Sequence, residues 1–129
     1  MPRAVSRLPW CSYMLGRARW RAVIVPRIID PHDGRELAGI CQFGRRLIEV
    51  AAWQSDAEMR RTMLHEMMHS AGGATSTEQH DGEAEERAVL AMERGLYTII
   101  TQFGFALPPL PDGLEEMRAR VRDAGGVPT

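Results

Sequence analysis

Met63-Leu64-His65-Glu66-Met67-Met68-His69-Ser70-Ala71-Gly72 is the stretch from which the fold can be read. His65 and His69 are four residues apart. On an α-helix that spacing places them one turn apart on the same face, so two imidazoles can converge on a single tetrahedral cation. Glu66 sits one residue along, beside such a cation rather than on it, where a carboxylate can accept a proton from a water held there. The pattern has meaning only on a helix, and the flanking residues supply one. Ser55-Asp56-Ala57-Glu58 has the form of a capping box, with the Ser55 hydroxyl and the Glu58 carboxylate each satisfying a backbone amide of the first turn. Met59, Met63 and Met67 then form one stripe, with Leu64, Met68 and Ala71 beside it, and core packing is its expected use. Gly72-Gly73 is the expected stop, since glycine tolerates the left-handed position after a helix.

Upstream of this helix the period changes from helical to alternating. Trp20, Ala22 and Ile24 alternate with Arg21, Val23 and Val25, which predicts a strand from Trp20 towards Ile29, ended or placed at an edge by Pro26. Asp30-Pro31-His32-Asp33-Gly34 reads as a turn cluster. Leu37–Phe43 predicts a second strand, Gly44-Arg45 a turn, and Arg46–Ala52 a third strand paired antiparallel with the second. Residues 1–18, rich in Arg and Pro, read as an N-terminal arm with a short helix near Tyr13–Arg17. Downstream, residues 72–82 are small and polar and read as a loop. A second helix is expected over Gly82–Gln102, with Glu85, Val89, Met92, Leu96 and Ile99 on its inner face. Phe105–Gly113 reads as a Pro-rich connector and Leu114–Asp123 as a short charged helix. The expected architecture is α+β: a small three-stranded antiparallel sheet packed on the motif helix and on a second, ligand-bearing helix. Residues 19–103 form the domain, between the arm (1–18) and a tail (104–129).

Two imidazoles leave a metal site incomplete. A hydrolytic zinc site takes three protein ligands and keeps the fourth position open. Extending the motif to HExxHxxGxxH fails, because Gly72 matches but position 75 is Thr75. The remaining candidates are the acidic cluster Glu83, Glu85 and Glu86 and the loop residue His80. Glu85 lies in line with Val89, Met92 and Leu96, so it is the first choice for an inward carboxylate. Glu86 and His80 are the alternatives. Two imidazoles and a carboxylate suit zinc among the divalent metals.

The bulk properties limit the classes of function. A chain of 129 residues, 44% hydrophobic and 26% charged, is ordinary for one globular domain. Net charge is -1, but residues 1–46 hold nine Arg against three acids, while residues 47–129 hold seven Arg against fourteen acids. No lysine occurs. A basic N-terminal half allows a nucleic-acid or acidic partner, without a nucleic-acid motif to accompany it. Cys11 and Cys41 form no CxxC pair and read as reduced thiols. The first fifteen residues are interrupted by Pro2, Arg3, Arg7 and Pro9, unlike a signal peptide, and no apolar run reaches the length of a membrane span. The expectation is a cytoplasmic protein without membrane contact.

The order of hairpin, MLHEMMHSAG, short loop and EAEERAVLAMERGLYTII resembles the small phage-type members of the ImmA/IrrE-like metallopeptidase group, over roughly Trp20–Ile100. The resemblance implies a gluzincin-like zincin: HExxH on one helix, a glutamate ligand on the next, and a small sheet whose edge strand lines the cleft. It implies a zinc-dependent peptidase, of phage or prophage origin, acting on a peptide or protein substrate. In that scheme His65, His69 and Glu85 hold Zn2+ and Glu66 is the catalytic base. His80 and Tyr97 are candidates to stabilise an oxyanion, and Arg46–Ala52 is the strand expected to take an extended peptide. Two other readings remain: a non-catalytic, zinc-stabilised interaction protein, and a nucleic-acid-associated protein acting through the Arg-rich N-terminal region.

Overall fold

The computed structural model describes residues 7–75, 82–102 and 107–125. The chain is α+β. In order it forms β1 (Leu8–Leu15), β2 (Ala18–Val25), β3 (Ile28–Ile29), β4 (Glu36–Leu37), β5 (Gly39–Gln42), a 3-10 turn (Phe43–Arg45), β6 (Leu47–Ala51), α1 (Asp56–Thr75), α2 (Gly82–Gln102) and α3 (Leu114–Asp123). Among the described residues no helix is long and apolar enough to cross a membrane.

The main sheet has four strands in the order β1-β2-β6-β5 and is mixed, in place of the expected three-stranded meander. β5 and β6 form the expected antiparallel pair. β6 then pairs with β2 in parallel, Arg21 opposite Leu47 through Val25 opposite Ala51. The intervening β3–β4 pair crosses over the sheet. β6 is therefore a central strand, and its composition fits: Leu47, Ile48, Val50 and Ala51 are fully buried on both faces, as a strand covered on both sides requires. The cleft-lining edge falls to β5 instead of Arg46–Ala52.

Residues Leu8–Leu15 form a strand, not an arm ending in a helix. Tyr13 pairs with Trp20 and Leu15 with Ala18 around the turn at Gly16, where φ is 59°. A bulge between Pro9 and Cys11 explains why the strand is hidden in the sequence. The extra residue, Trp10, turns inward like its neighbour Cys11, so the apolar alternation loses phase there.

One face of the sheet carries Trp20, Ala22, Ile24, Ile48 and Val50. It packs on Met59 and Met63 of α1 and on Leu114 and Met117 of α3. Each such fully buried aliphatic side chain contributes roughly 1.5–3 kcal/mol. The other face, with Val23, Val25, Leu47 and Ala51, is covered at one end by Ile28, Leu37 and Trp53. Trp10 ties the N-terminal strand to the C-terminal connector, its Nε1 donating to Pro108 O at 3.1 Å. Arg118 of α3 reaches Ala52 O (2.9 Å), Gln54 O (2.7 Å) and Asp56 (2.8 Å) at the start of α1. Cys11, Ala22, Ile48 and Cys41 form one row across the four strands. The two thiols are not joined in a disulfide; they lie three strand spacings apart, about 14 Å, beyond the reach of one.

Candidate metal centre

α1 begins where the capping box places it. Ser55 N–H donates to Glu58 Oε1 at 3.1 Å, and Glu58 N–H donates to Ser55 Oγ at 3.2 Å. The helix then runs through Gly72 and Gly73 to Thr75. The glycine pair does not stop it, since glycine lowers helix propensity by only about 1 kcal/mol per residue and α1 is anchored by packing along its Met59–Met63 face. Ser70, one residue after the motif, is fully buried. It shares a hydrogen bond with Tyr13 Oη at 2.8 Å and donates to Met67 O at 2.6 Å. This contact fixes the rotation of α1 over the sheet. Burial, above all, pushes the Tyr13 phenol up to about 12.

With α1 so placed, the rings of His65 and His69 stand edge to face, 4.9 Å between centroids. Their Nε2 atoms point at one carboxylate. His65 Nε2 is 2.8 Å from Glu86 Oε1, and His69 Nε2 is 3.0 Å from Glu86 Oε2. Ligand atoms of His65, His69 and Glu86 all lie within 4.8 Å of one another. The donor set fits a divalent cation: two imidazole nitrogens and one carboxylate oxygen, drawn from two helices and converging on one point. The third member is Glu86, one of the two alternatives to Glu85. His80 and the side chains of Glu83 and Glu85 lie outside the described residues.

The reason Glu86 faces inward is the rotation of α2. Its packed face carries Glu86, Val89, Glu93, Leu96 and Ile100, a 3-4-3-4 spacing. Met92 and Ile99, expected on that face, are 60% and 51% exposed. The same rotation brings in Glu93, a residue the sequence did not single out. Its carboxylate lies 3.6 Å from Nδ1 of His65, the ring nitrogen turned away from Glu86. A carboxylate behind a metal-binding histidine fixes the ring and its tautomer, and the i, i+7 relation of Glu86 and Glu93 was the available signal.

Glu66 is buried beside the histidines. Burial pushes its carboxyl above the ordinary range. The adjacent His65 and His69 pull it back, and Glu86 and Glu93 add to the rise. A carboxyl whose pKa is raised by burial in a cleft is suited to proton transfer. The cleft has a volume of about 530 Å3 and is lined by β5, by Thr62, His65, Glu66 and His69 of α1, and by Glu86, Leu90 and Glu93 of α2. Gln54, also unforeseen, sets the distance between β5 and α1. Its amide donates to Ala38 O and Ala51 O, both at 3.0 Å, and its oxygen accepts from Thr62 Oγ1 at 2.7 Å. Tyr97 is not among the cleft-lining residues; its ring lies 5.5 Å beneath the Arg61 guanidinium.

No family model, no curated protein and no solved structure matches this chain.

Proposed function

We propose that the chain is a zinc-dependent metallopeptidase of the ImmA/IrrE-like, zincin-type group, with His65, His69 and Glu86 as metal ligands and Glu66 as general base. The observation that carries the reading is the convergence of both Nε2 atoms on the two oxygens of Glu86, with a buried carboxylate one residue from the first histidine. Zinc held by three ligands supplies Lewis acidity, polarising a carbonyl and lowering the pKa of water to about 7.

The chain's own residues supply the remainder. Glu66 takes the proton from the attacking water and returns it to the leaving amine, so both proton transfers stay on one carboxylate. Glu93 holds the His65 ring from behind. β5, an edge strand beside the cleft, offers unpaired backbone groups to an extended peptide, so the substrate class is a polypeptide bound by main-chain pairing. An acidic cleft floor with three carboxylates also favours a divalent cation over none, since unneutralised carboxylates repel.

The test is a comparison of metal-loaded wild-type protein with the Glu66→Gln variant on a mixed peptide library read by mass spectrometry. Metal-dependent cleavage should fall by roughly 10²–10⁴-fold in the variant while metal content is unchanged. Stoichiometric metal without cleavage by the wild-type protein would instead favour a non-catalytic, metal-stabilised interaction protein.

A further inference from the structure

The alternation that sends Trp20 and Ala22 under α1 sends Arg19 and Arg21 to the opposite face of the sheet. Their cross-strand neighbours there are uncharged: Met14 and Ser12 on β1, and Leu47 on β6 in line with Arg21. A sheet surface stabilised by charge pairs would place acids opposite them. The parallel pairing of β2 with β6 adds a second source of positive charge from a distant part of the chain. Arg21 N–H donates to Arg46 O at 3.1 Å, and Arg45 reaches round to Gln42 at 3.1 Å. Arg17 completes the group at the β1–β2 turn. All five side chains are exposed, and none forms an ion pair among the described residues. Glu49, the acid on this face of β6, is engaged by Arg7 at 3.7 Å.

Arg46 is also the one non-glycine residue with positive φ among the described residues, at 50°. An L-residue in this region costs roughly 1–2 kcal/mol, and glycine or asparagine would fit more easily.

We infer that this outer face, centred on Arg19, Arg21 and Arg46, is a docking surface for the phosphodiester backbone of a single-stranded nucleic acid, bound without sequence preference. Two features favour a nucleic acid over an acidic protein. The charges are all guanidinium forks, which match phosphate oxygens bidentately. Arg19 and Arg21 repeat along one strand at about 6.8 Å, a regular spacing that suits a uniformly charged backbone better than scattered side-chain carboxylates.

The surface is on the other side of the sheet from the metal cleft, so the inference does not rest on the peptidase reading. The experiment is fluorescence anisotropy of a labelled, mixed-sequence DNA single strand of about twenty nucleotides, titrated with the full chain at a series of salt concentrations. Neutralisation of four to five phosphates gives a slope of log K on log salt of about -3. The triple substitution Arg19→Gln, Arg21→Gln, Arg46→Gln should weaken binding at least tenfold at low salt and reduce the slope by about 2. Arg19→Lys with Arg21→Lys should keep most of the salt dependence, and Glu66→Gln should bind like the wild type. Circular dichroism of each variant verifies the fold. The inference is overturned by absence of saturable binding at low salt, by unchanged binding in the folded triple variant, or by poly-glutamate displacing the strand as well as an unlabelled oligonucleotide does.

Discussion

Gly39 lies against Glu66 so closely that the space for a side chain on it is already filled. A Cβ at position 39 would meet Glu66 Cγ at 3.2 Å and Thr62 Cγ2 at 2.5 Å, with Glu49 O at 3.3 Å. Gly39 is the inward-facing residue at the start of β5, so its missing side chain is what lets the edge strand approach the motif helix. Gly39→Ala is expected to destabilise the fold by about 1–3 kcal/mol, the usual cost of overpacking, and to lower peptide turnover by moving β5 away from Glu66. Adding Thr62→Ser removes the shortest contact while keeping the hydroxyl bonded to Gln54, and should recover most of the lost stability. Thermal unfolding of the single and double variants measures the coupling between the two positions.

The capping box gives a prediction in pH. Glu58 is held below the ordinary carboxylate range, first by the Ser55 backbone N–H, then by the Ser55 side chain. A carboxyl lowered in the folded state stabilises above its unfolded pKa, near 4.3, and that contribution is lost as pH falls through the folded value. Glu58→Gln should therefore unfold at lower temperature than wild type at neutral pH, with the difference shrinking as pH falls below the unfolded value and vanishing once it is below the lowered folded one. Ser55→Ala should cost about 0.5–2 kcal/mol, and a pH-independent gap between wild type and Glu58→Gln would show that the charge is not what matters.

What could be read from the sequence follows how local each determinant is. The capping box, the extent of α2 over Gly82–Gln102 and the α3 helix depend on neighbours within a turn or two, and the structure places them as expected. The pairing of His65 and His69 was legible for the same reason, the two being four residues apart on one helix. β1 was hidden because its bulge at Trp10 breaks the alternation. The parallel partnership of β2 and β6 joins residues separated by an entire crossover, and no local pattern encodes it. On α2 the apolar residues Leu90, Met92 and Ile99 are spread around the exposed side, so the most apolar stripe is not the packed one. Choosing between adjacent glutamates required the rotation of that helix, which Val89 and its contacts with the rest of the fold decide. Tyr13 and Gln54, which hold α1 over the sheet, act across sequence distances that only the fold closes.

Glu93 is expected to act through His65. Its carboxylate faces the Nδ1 side of that ring at 3.6 Å, so it orients the imidazole without being one of the three converging ligands. Glu93→Gln should lower metal affinity by about 10–100-fold, measured by competition against a chelator, while leaving saturating-metal stoichiometry at one ion per chain. Glu93→Asp, with a shorter reach on the same face, should recover part of the affinity. Unchanged affinity in Glu93→Gln would remove this role.

The decisive pair is Glu86 against Glu85. Among the described residues, Glu86 is the carboxylate within bonding distance of both imidazoles, whereas the sequence favoured its neighbour. Glu86→Gln and Glu86→Ala should each lose stoichiometric zinc at micromolar free metal, as should His65→Ala and His69→Ala. Glu85→Gln should retain it. Because metal binding and folding are linked, zinc should raise the unfolding temperature of wild type and Glu85→Gln but not of the Glu86 variants. Elemental analysis and calorimetry of the same preparations read both quantities. The reverse pattern, zinc kept without the Glu86 carboxylate and lost without that of Glu85, would mean that α2 rotates by about one residue when the ion binds, a turn of roughly 100°. Such a turn would carry Glu93 away from His65, so the effect of Glu93→Gln on affinity would disappear as well, and the two measurements together separate a misassigned ligand from a helix that moves.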